Sequence, residues 1–201
     1  SGKKAGVMIE YSNGNTHKEL HIGHLRNICL GDTINRLLDI SGYRSLPVSY
    51  INDFGIHVAK TLWYLKNNRK DYQKLIKSVP KDRGYLLGSA YKEATAALAE
   101  NDTAKEAVGK IMQEIESRKG ENYQLWQKTR DWSIKYFQSV YQDLGVKFKK
   151  TFYESEVITS GLKTVKELVD KGVLKKSEGA IIADLEKYNL VCTSMKKYDY
   201  L

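Results

Sequence analysis

"VMIEYSNGNTHKELHIGHLRNICLGDTINRLLDISGY", residues 7–43, carries a strand, a turn and a helix in succession. Its opening, "VMIEYS", is a short β-rich apolar run, and the turn-forming "NGNT" follows it. From His24 onward Leu25, Ile28, Cys29, Ile34, Leu37 and Leu38 recur at steps near three and four, and Gly42 stands as a C-terminal stop. That spacing predicts a helix over about Ile22–Ser41. "LPVSYIN" reads as a second strand and "DFGIHVAKTLWYLKN" as a second helix. Strand, helix, strand, helix within 70 residues predicts a parallel βαβ unit, which binds ligands beyond the carboxyl ends of its strands.

Composition shifts after about Asn67. Residues 71–145 hold long helical stretches, including "AYKEATAALAE", "TAKEAVGKIMQEIESRKG" and "NYQLWQKTRDWSIKYFQSVYQDLG". In the last, Leu125, Trp126, Trp132, Phe137 and Tyr141 form a bulky apolar stripe, read as helix packing rather than a base-stacking surface. "VKFKKTFYES" follows, then a helix through "GLKTVKELVDKG" and a hairpin "VLKKSEGAIIADL" turning at Glu178-Gly179. The expected division is residues 1–70, the first βαβα half of a nucleotide-binding domain, and 71–201, a largely helical insertion ending in a hairpin.

The chain of 201 residues is long enough for a substantial core, and its 41% hydrophobic and 28% charged residues give an ordinary globular balance. Cys29 and Cys192 have neither ligand spacing nor a disulfide signature, which suits a reducing compartment. Apolar runs such as "AIIA" are far too short to span a bilayer, and "SGKKAG" has no apolar signal core, so a cytoplasmic location and no membrane are expected. The net charge of +9 favours an acidic partner, with nucleic acid the leading class, yet no block of five basic residues marks a binding face.

Three of the four histidines, His17, His21 and His24, fall within eight positions. As a metal site the pattern is poor: Lys18 stands where a zincin helix has its glutamate. Acid–base work is open to any histidine, although the sequence offers no orienting partner. A satisfied structural role is the plain reading of His17 and His57. Phosphate binding is the better reading of His21-Ile22-Gly23-His24. A loop that leaves a parallel strand and enters a helix points N–H groups and a positive dipole end at an anion. Gly23 lets a flat base or a phosphate approach the backbone. Such donors stabilise charge on an α-phosphate under attack and need no proton transfer.

"HIGH" in this setting resembles the signature of class I aminoacyl-tRNA synthetases. The whole stretch 7–43 resembles the opening of arginyl-tRNA synthetases, where an acidic residue, an aromatic, Ser-x-x-Asn, a lysine and the histidine signature follow in order. "VSYINDFGIHV", "LWQKTRDWSIKYFQSVYQDLGVKF", "FYES" and "EGAIIADLEKY" are similar to that family's later segments, in the right order. The resemblance implies an α/β fold: the first half of a Rossmann-like parallel-sheet domain with a largely helical insertion. It implies an arginine–tRNA ligase that activates L-arginine with ATP, magnesium accompanying the phosphates, and transfers it to tRNA(Arg).

The same resemblance implies site residues. Asn15 and His21 would hold arginine and the activated intermediate, with Glu10 and Glu154 near the amino and guanidinium groups. Ser12 and Lys18 would border the loop, Ser12 among the arginine-binding residues. His21 and His24, the catalytic pair, would face the ATP phosphates, and Gly23 would admit the adenosine. A carboxylate opposite a guanidinium is chemically apt, because the planar fork is met in bidentate geometry; by itself, Glu154 would read as a solvated loop acid. Departures from the family pattern are Gly14 in place of a proline, Lys149 and Lys150 where an acidic residue is usual, and His57 in place of a glutamine. The lysine-rich KMSKS-type loop and the anticodon-binding domain are not found, and "TSMKK" comes too early in the order to be that loop. This chain alone is therefore expected to be incompetent, completed by a separate chain or a further C-terminal part. The alternative is a truncated, non-catalytic relative that binds nucleotide or tRNA.

Overall fold

The computed structural model describes residues 6–99, 101–177 and 180–185. A three-stranded parallel sheet organises the N-terminal end: β1 (Gly6–Glu10), β2 (Arg44–Ile51) and β3 (Lys150–Tyr153), in the order β1-β2-β3. Register runs from Gly6 opposite Arg44 to Glu10 opposite Val48, and from Val48 opposite Lys150 to Ile51 opposite Tyr153. β2 is central, and Ser45, Val48, Ser49 and Ile51 on it are buried. A strand with neighbours on both sides and cover on its faces has that character.

α1 (Ile22–Ile40) connects β1 to β2 and α2 (Ile56–Asn67) leaves β2, matching the expected βαβα order. α1 meets the sheet through Gly31. A Cβ there would lie 2.2 Å from the ring of the buried Tyr11, so only hydrogen fits. Between α2 and β3 come α3 (Arg69–Lys77), α4 (Pro80–Ala97), α5 (Asp102–Ser117) and α6 (Gly120–Asp143). α6 runs through all three apolar clusters of the chain up to residue 155. Its Trp126 packs with Val58, Leu62, Val108 and Ile115, its Trp132 with Leu65, Leu75 and Leu87, and its Phe137 and Tyr141 with Tyr11, Ile28 and Ile51. The stripe read from the sequence is therefore core.

Packing groups the chain into residues 1–155 and 156–201. β3 lies beyond residue 70 in the chain and is hydrogen-bonded to β2 in the sheet. α7 (Glu154–Asp170) begins seven residues before the "GLK" from which that helix is read. Within the second unit β4 (Leu174–Ser177) and β5 (Ala180–Ala183) pair antiparallel, Leu174 opposite Ala183. The hairpin is thus present, while its turn residues Glu178 and Gly179 lie outside the described residues, as do Cys192 and "TSMKK". Among the described residues no helix is long and apolar enough to cross a membrane.

Candidate functional site

The loop between β1 and α1 folds back onto the end of β2. Asn52 N–H donates to the Gly14 carbonyl at 3.0 Å, and Thr16 N–H donates to the Asn52 carbonyl at 2.9 Å. This brings Asn15 opposite Asn52 in a parallel bridge. To make the return, Ser12, Asn13 and His17 adopt left-handed backbones, with φ of 77°, 47° and 61°. Such conformations are costly outside glycine and persist only where the surroundings hold them. They are held here. Asn13 Nδ2 donates to Glu10 Oε1 at 2.9 Å, and Asn13 Oδ1 accepts from Tyr50 N–H at 3.0 Å. Ser12 is buried, its hydroxyl 2.7 Å from that of Tyr141, so it faces α6.

His17 is the structural member of the cluster. Fully buried, it places Nε2 2.8 Å from the Thr129 hydroxyl and Nδ1 3.0 Å from that of Thr16, while Ser133 accepts its N–H at 2.9 Å. Burial and then the charge of His57 push its pKa down to about 3. His57, half-buried on α2, is pushed down to about 4 by burial and then by Lys18. Lys18 itself stands 4.6 Å over the ring of Tyr91.

His21 and His24 do something different. His21 is the N-cap of α1, and its Nδ1 accepts from Gly23 N–H at 3.1 Å; His24 Nδ1 accepts from His21 N–H at 3.2 Å. The two rings lie 4.0 Å apart. A reciprocal pair of this kind satisfies two N–H groups that the first helical turn leaves free. Because both Nδ1 atoms accept, the proton of each neutral ring sits on Nε2. Burial, then the charge of His21, lowers the His24 pKa, which favours that neutral form. The result is two N–H donors side by side at the start of a 19-residue helix, at the carboxyl end of a parallel strand. Gly23 is confined by this arrangement: a Cβ on it would come within 2.9 Å of the His21 ring. Gly14 is confined too, since a Cβ there would sit 3.0 Å from Phe137. Close packing against that ring accounts for its place better than a need for backbone freedom.

Glu10 at the end of β1 and Glu154 just after β3 stand on either side of β2, at the carboxyl end of the parallel sheet. Both act electrostatically on Tyr50 of β2, whose pKa is raised by burial and then by Glu154, Asp53 and Glu10. Glu154 is half-buried, and its Oε2 is enclosed with no hydrogen-bond partner among the described residues. Burial, then the neighbouring Asp53, pushes its carboxyl pKa up. The structure therefore places Glu10, Asn15 and Glu154 at or just beyond the ends of the strands and His21, Gly23 and His24 at the start of α1, and turns Ser12 and His17 inward. Sequence reading missed Asn13, Tyr50, Asp53 and Arg130. Asp53, an acidic residue closing an apolar strand, was the one with a visible signal.

These features match known proteins along the chain. The family described as "tRNA synthetases class I (R), catalytic domain" matches residues 1–199. The arginine–tRNA ligase of Bdellovibrio bacteriovorus is 39% identical over 204 residues, covering 98% of this chain and 34% of that protein. That of Borrelia garinii is 31% identical over 182 residues, covering 89% of this chain and 30% of that protein. The crystal structure of arginyl-tRNA synthetase from Plasmodium falciparum shares the fold with a TM-score of 0.67 at 22% identity, over 92% of this chain and 30% of that one. The chain spans about a third of the length of the curated relatives it matches. With a strand–loop–helix entry built as described and a family match over nearly every residue, the chain belongs to the class I tRNA synthetase (R) catalytic-domain family, that of the arginine enzymes.

Proposed function

We propose that these residues form the part of an arginine–tRNA ligase that holds the ATP phosphates and one face of the arginine. The observation that carries the reading is the paired imidazoles of His21 and His24 at the N-terminus of α1, each with its Nδ1 taken by a backbone N–H, which leaves Nε2 as the donor. In the activation step an arginine carboxylate oxygen bonds to the α-phosphorus, the bond to the bridging oxygen breaks, and pyrophosphate leaves with that electron pair. Negative charge accumulates on the α-phosphate oxygens. Two fixed N–H donors and a helix N-terminus stabilise it without moving a proton. Gly23 leaves the backbone bare for the adenosine. Magnesium arrives with the nucleotide as part of the substrate.

Arginine is read by carboxylates. The enclosed, unpartnered Oε2 of Glu154 supports its assignment to the guanidinium, and the exposed end of Glu10, steadied by Asn13, its assignment to the amino group. Asn15 and Lys18 border the loop between them, with His21 next to the activated carboxyl. Ser12 contributes from beneath, through the Tyr141 hydroxyl and the shape of the loop. Transfer to tRNA(Arg) belongs to the complete enzyme, of which this segment is about a third by comparison with its relatives. The test pairs two assays on the 201-residue chain. ATP binding is predicted to be weak but measurable, and arginine-dependent pyrophosphate exchange absent. Robust exchange would mean that these residues already hold the whole activation apparatus.

A further inference from the structure

Asp53 lies two residues beyond the end of β2 and is fully buried. Its carboxylate collects three donors: Arg130 Nε from α6, Ser155 N–H at 2.8 Å and the Ser155 hydroxyl at 2.7 Å. Its carbonyl accepts from Trp126 Nε1 at 2.8 Å. The guanidinium of Arg130 lies over the Tyr153 ring, its Cζ 4.3 Å from the centroid. Arg130 is thus fixed against the residue before Glu154, by an acid bonded to the residue after it. Yet Glu154 Oε2, enclosed and without a partner, does not take this guanidinium.

That arrangement calls for an explanation. Asp53 places a second negative charge beside a half-buried carboxylate, which is unfavourable. An asparagine or serine could cap the first turn of α7 without that cost. What only a carboxylate can do is hold a guanidinium in a charge-assisted, desolvated bond. If that guanidinium were released, Glu154, next in sequence to the Tyr153 ring on which it rests, would offer a carboxylate oxygen that has no partner among the described residues.

We propose that Asp53 keeps the guanidinium of Arg130 off the Glu154 carboxylate, so that Glu154 stays free for an incoming guanidinium. The proposal rests on the reading of Glu154 as the arginine side-chain partner. Asp53 acts through Arg130 and Glu154, and is a positioning residue.

The test uses the 201-residue chain with the Glu154 carboxyl carbon labelled for NMR. In the unmodified chain Glu154 should titrate above the ordinary carboxylate range; titration below it would put a cation on Glu154 already and overturn the proposal. In Asp53→Asn the midpoint should fall as Arg130 moves across, to below its value in Asp53→Asn/Arg130→Gln, where the loss of the Asp53 charge acts alone. In Asp53→Asn/Arg130→Gln, which lacks the competing guanidinium, it should rise again. A midpoint unchanged in the single variant, or no recovery in the double, overturns the proposal, and the first measurement decides alone if Asp53→Asn does not fold. Binding of free L-arginine should follow the same order, lost by more than about tenfold in the single variant and recovered in the double. If the midpoints behave as stated and L-arginine binds none of the chains, sequestration of Arg130 stands and the guanidinium reading of Glu154 fails.

Discussion

His21 performs two tasks with its two ring nitrogens, and substitutions separate them. Nδ1 caps α1, and Nε2 of this exposed ring is left for a ligand. Asparagine is a good N-cap and retains an N–H donor, whereas alanine supplies neither. In a complete enzyme, His21→Ala should therefore cost about 3 kcal/mol in the activation step, and His21→Asn far less. Pyrophosphate exchange measures both, and equal, negligible effects would remove the donor role. Glu154→Gln should weaken arginine binding by about 2–5 kcal/mol, as when one member of a buried charged pair is removed, with ATP affinity unchanged. Glu154→Asp should be intermediate. A parallel fall in both affinities, measured by titration, would make Glu154 a structural residue. The histidine pair was legible in the sequence because its chemistry is local, three positions apart on one helical turn. The pairing of Asp53 with Arg130 was not, because it depends on α6 crossing the end of β2, and nothing in the amphipathic pattern of α6 singles out one arginine.

At the scale of elements, α1 is held by few contacts. Ile28 and Gly31 are buried, while Ile22, Leu30, Leu37 and Ile40 lie along the opposite face, the first 78% and the last 83% exposed. The apolar periodicity that identified this helix reports a face able to be buried, and among the described residues most of it is open. An apolar stripe of this extent predicts concentration-dependent self-association of the chain. Leu37→Lys/Ile40→Lys should keep it monomeric at concentrations where the parent associates, as read by sedimentation. The buried face predicts the opposite sensitivity. Gly31→Ala drives a Cβ into Tyr11 and should cost about 1–3 kcal/mol in denaturant unfolding. A neutral result would mean that α1 slides freely on the sheet. The hydrophobic period placed both early helices within three residues at each end. It left β3 unassigned because four residues, "KTFY", are too few to show alternation, and their place is set by pairing with β2.

Across the whole molecule, one buried and one half-buried imidazole make stability depend on pH. His17 and His57 have folded values of about 3 and about 4, below the 6.5 of an unfolded histidine. The unfolded chain takes up protons first, so stability is complete above pH 6.5. It declines as pH falls toward 4 and then 3, with a slope of up to about 1.4 kcal/mol per pH unit for each histidine. His57→Gln should flatten the upper part of that decline, and urea unfolding at pH 7, 5.5 and 4.5 measures it. The same four histidines supply the most direct test of the account, since each carries one resolvable ring Cε1–H signal in a proton NMR spectrum. Titrating the chain with magnesium–ATP should move the signals of His21 and His24 together along one saturation curve and leave His17 fixed, and adenosine alone should move neither of the pair. Stationary His21 and His24 signals, or shifts as large with adenosine as with ATP, would contradict a phosphate site at the start of α1.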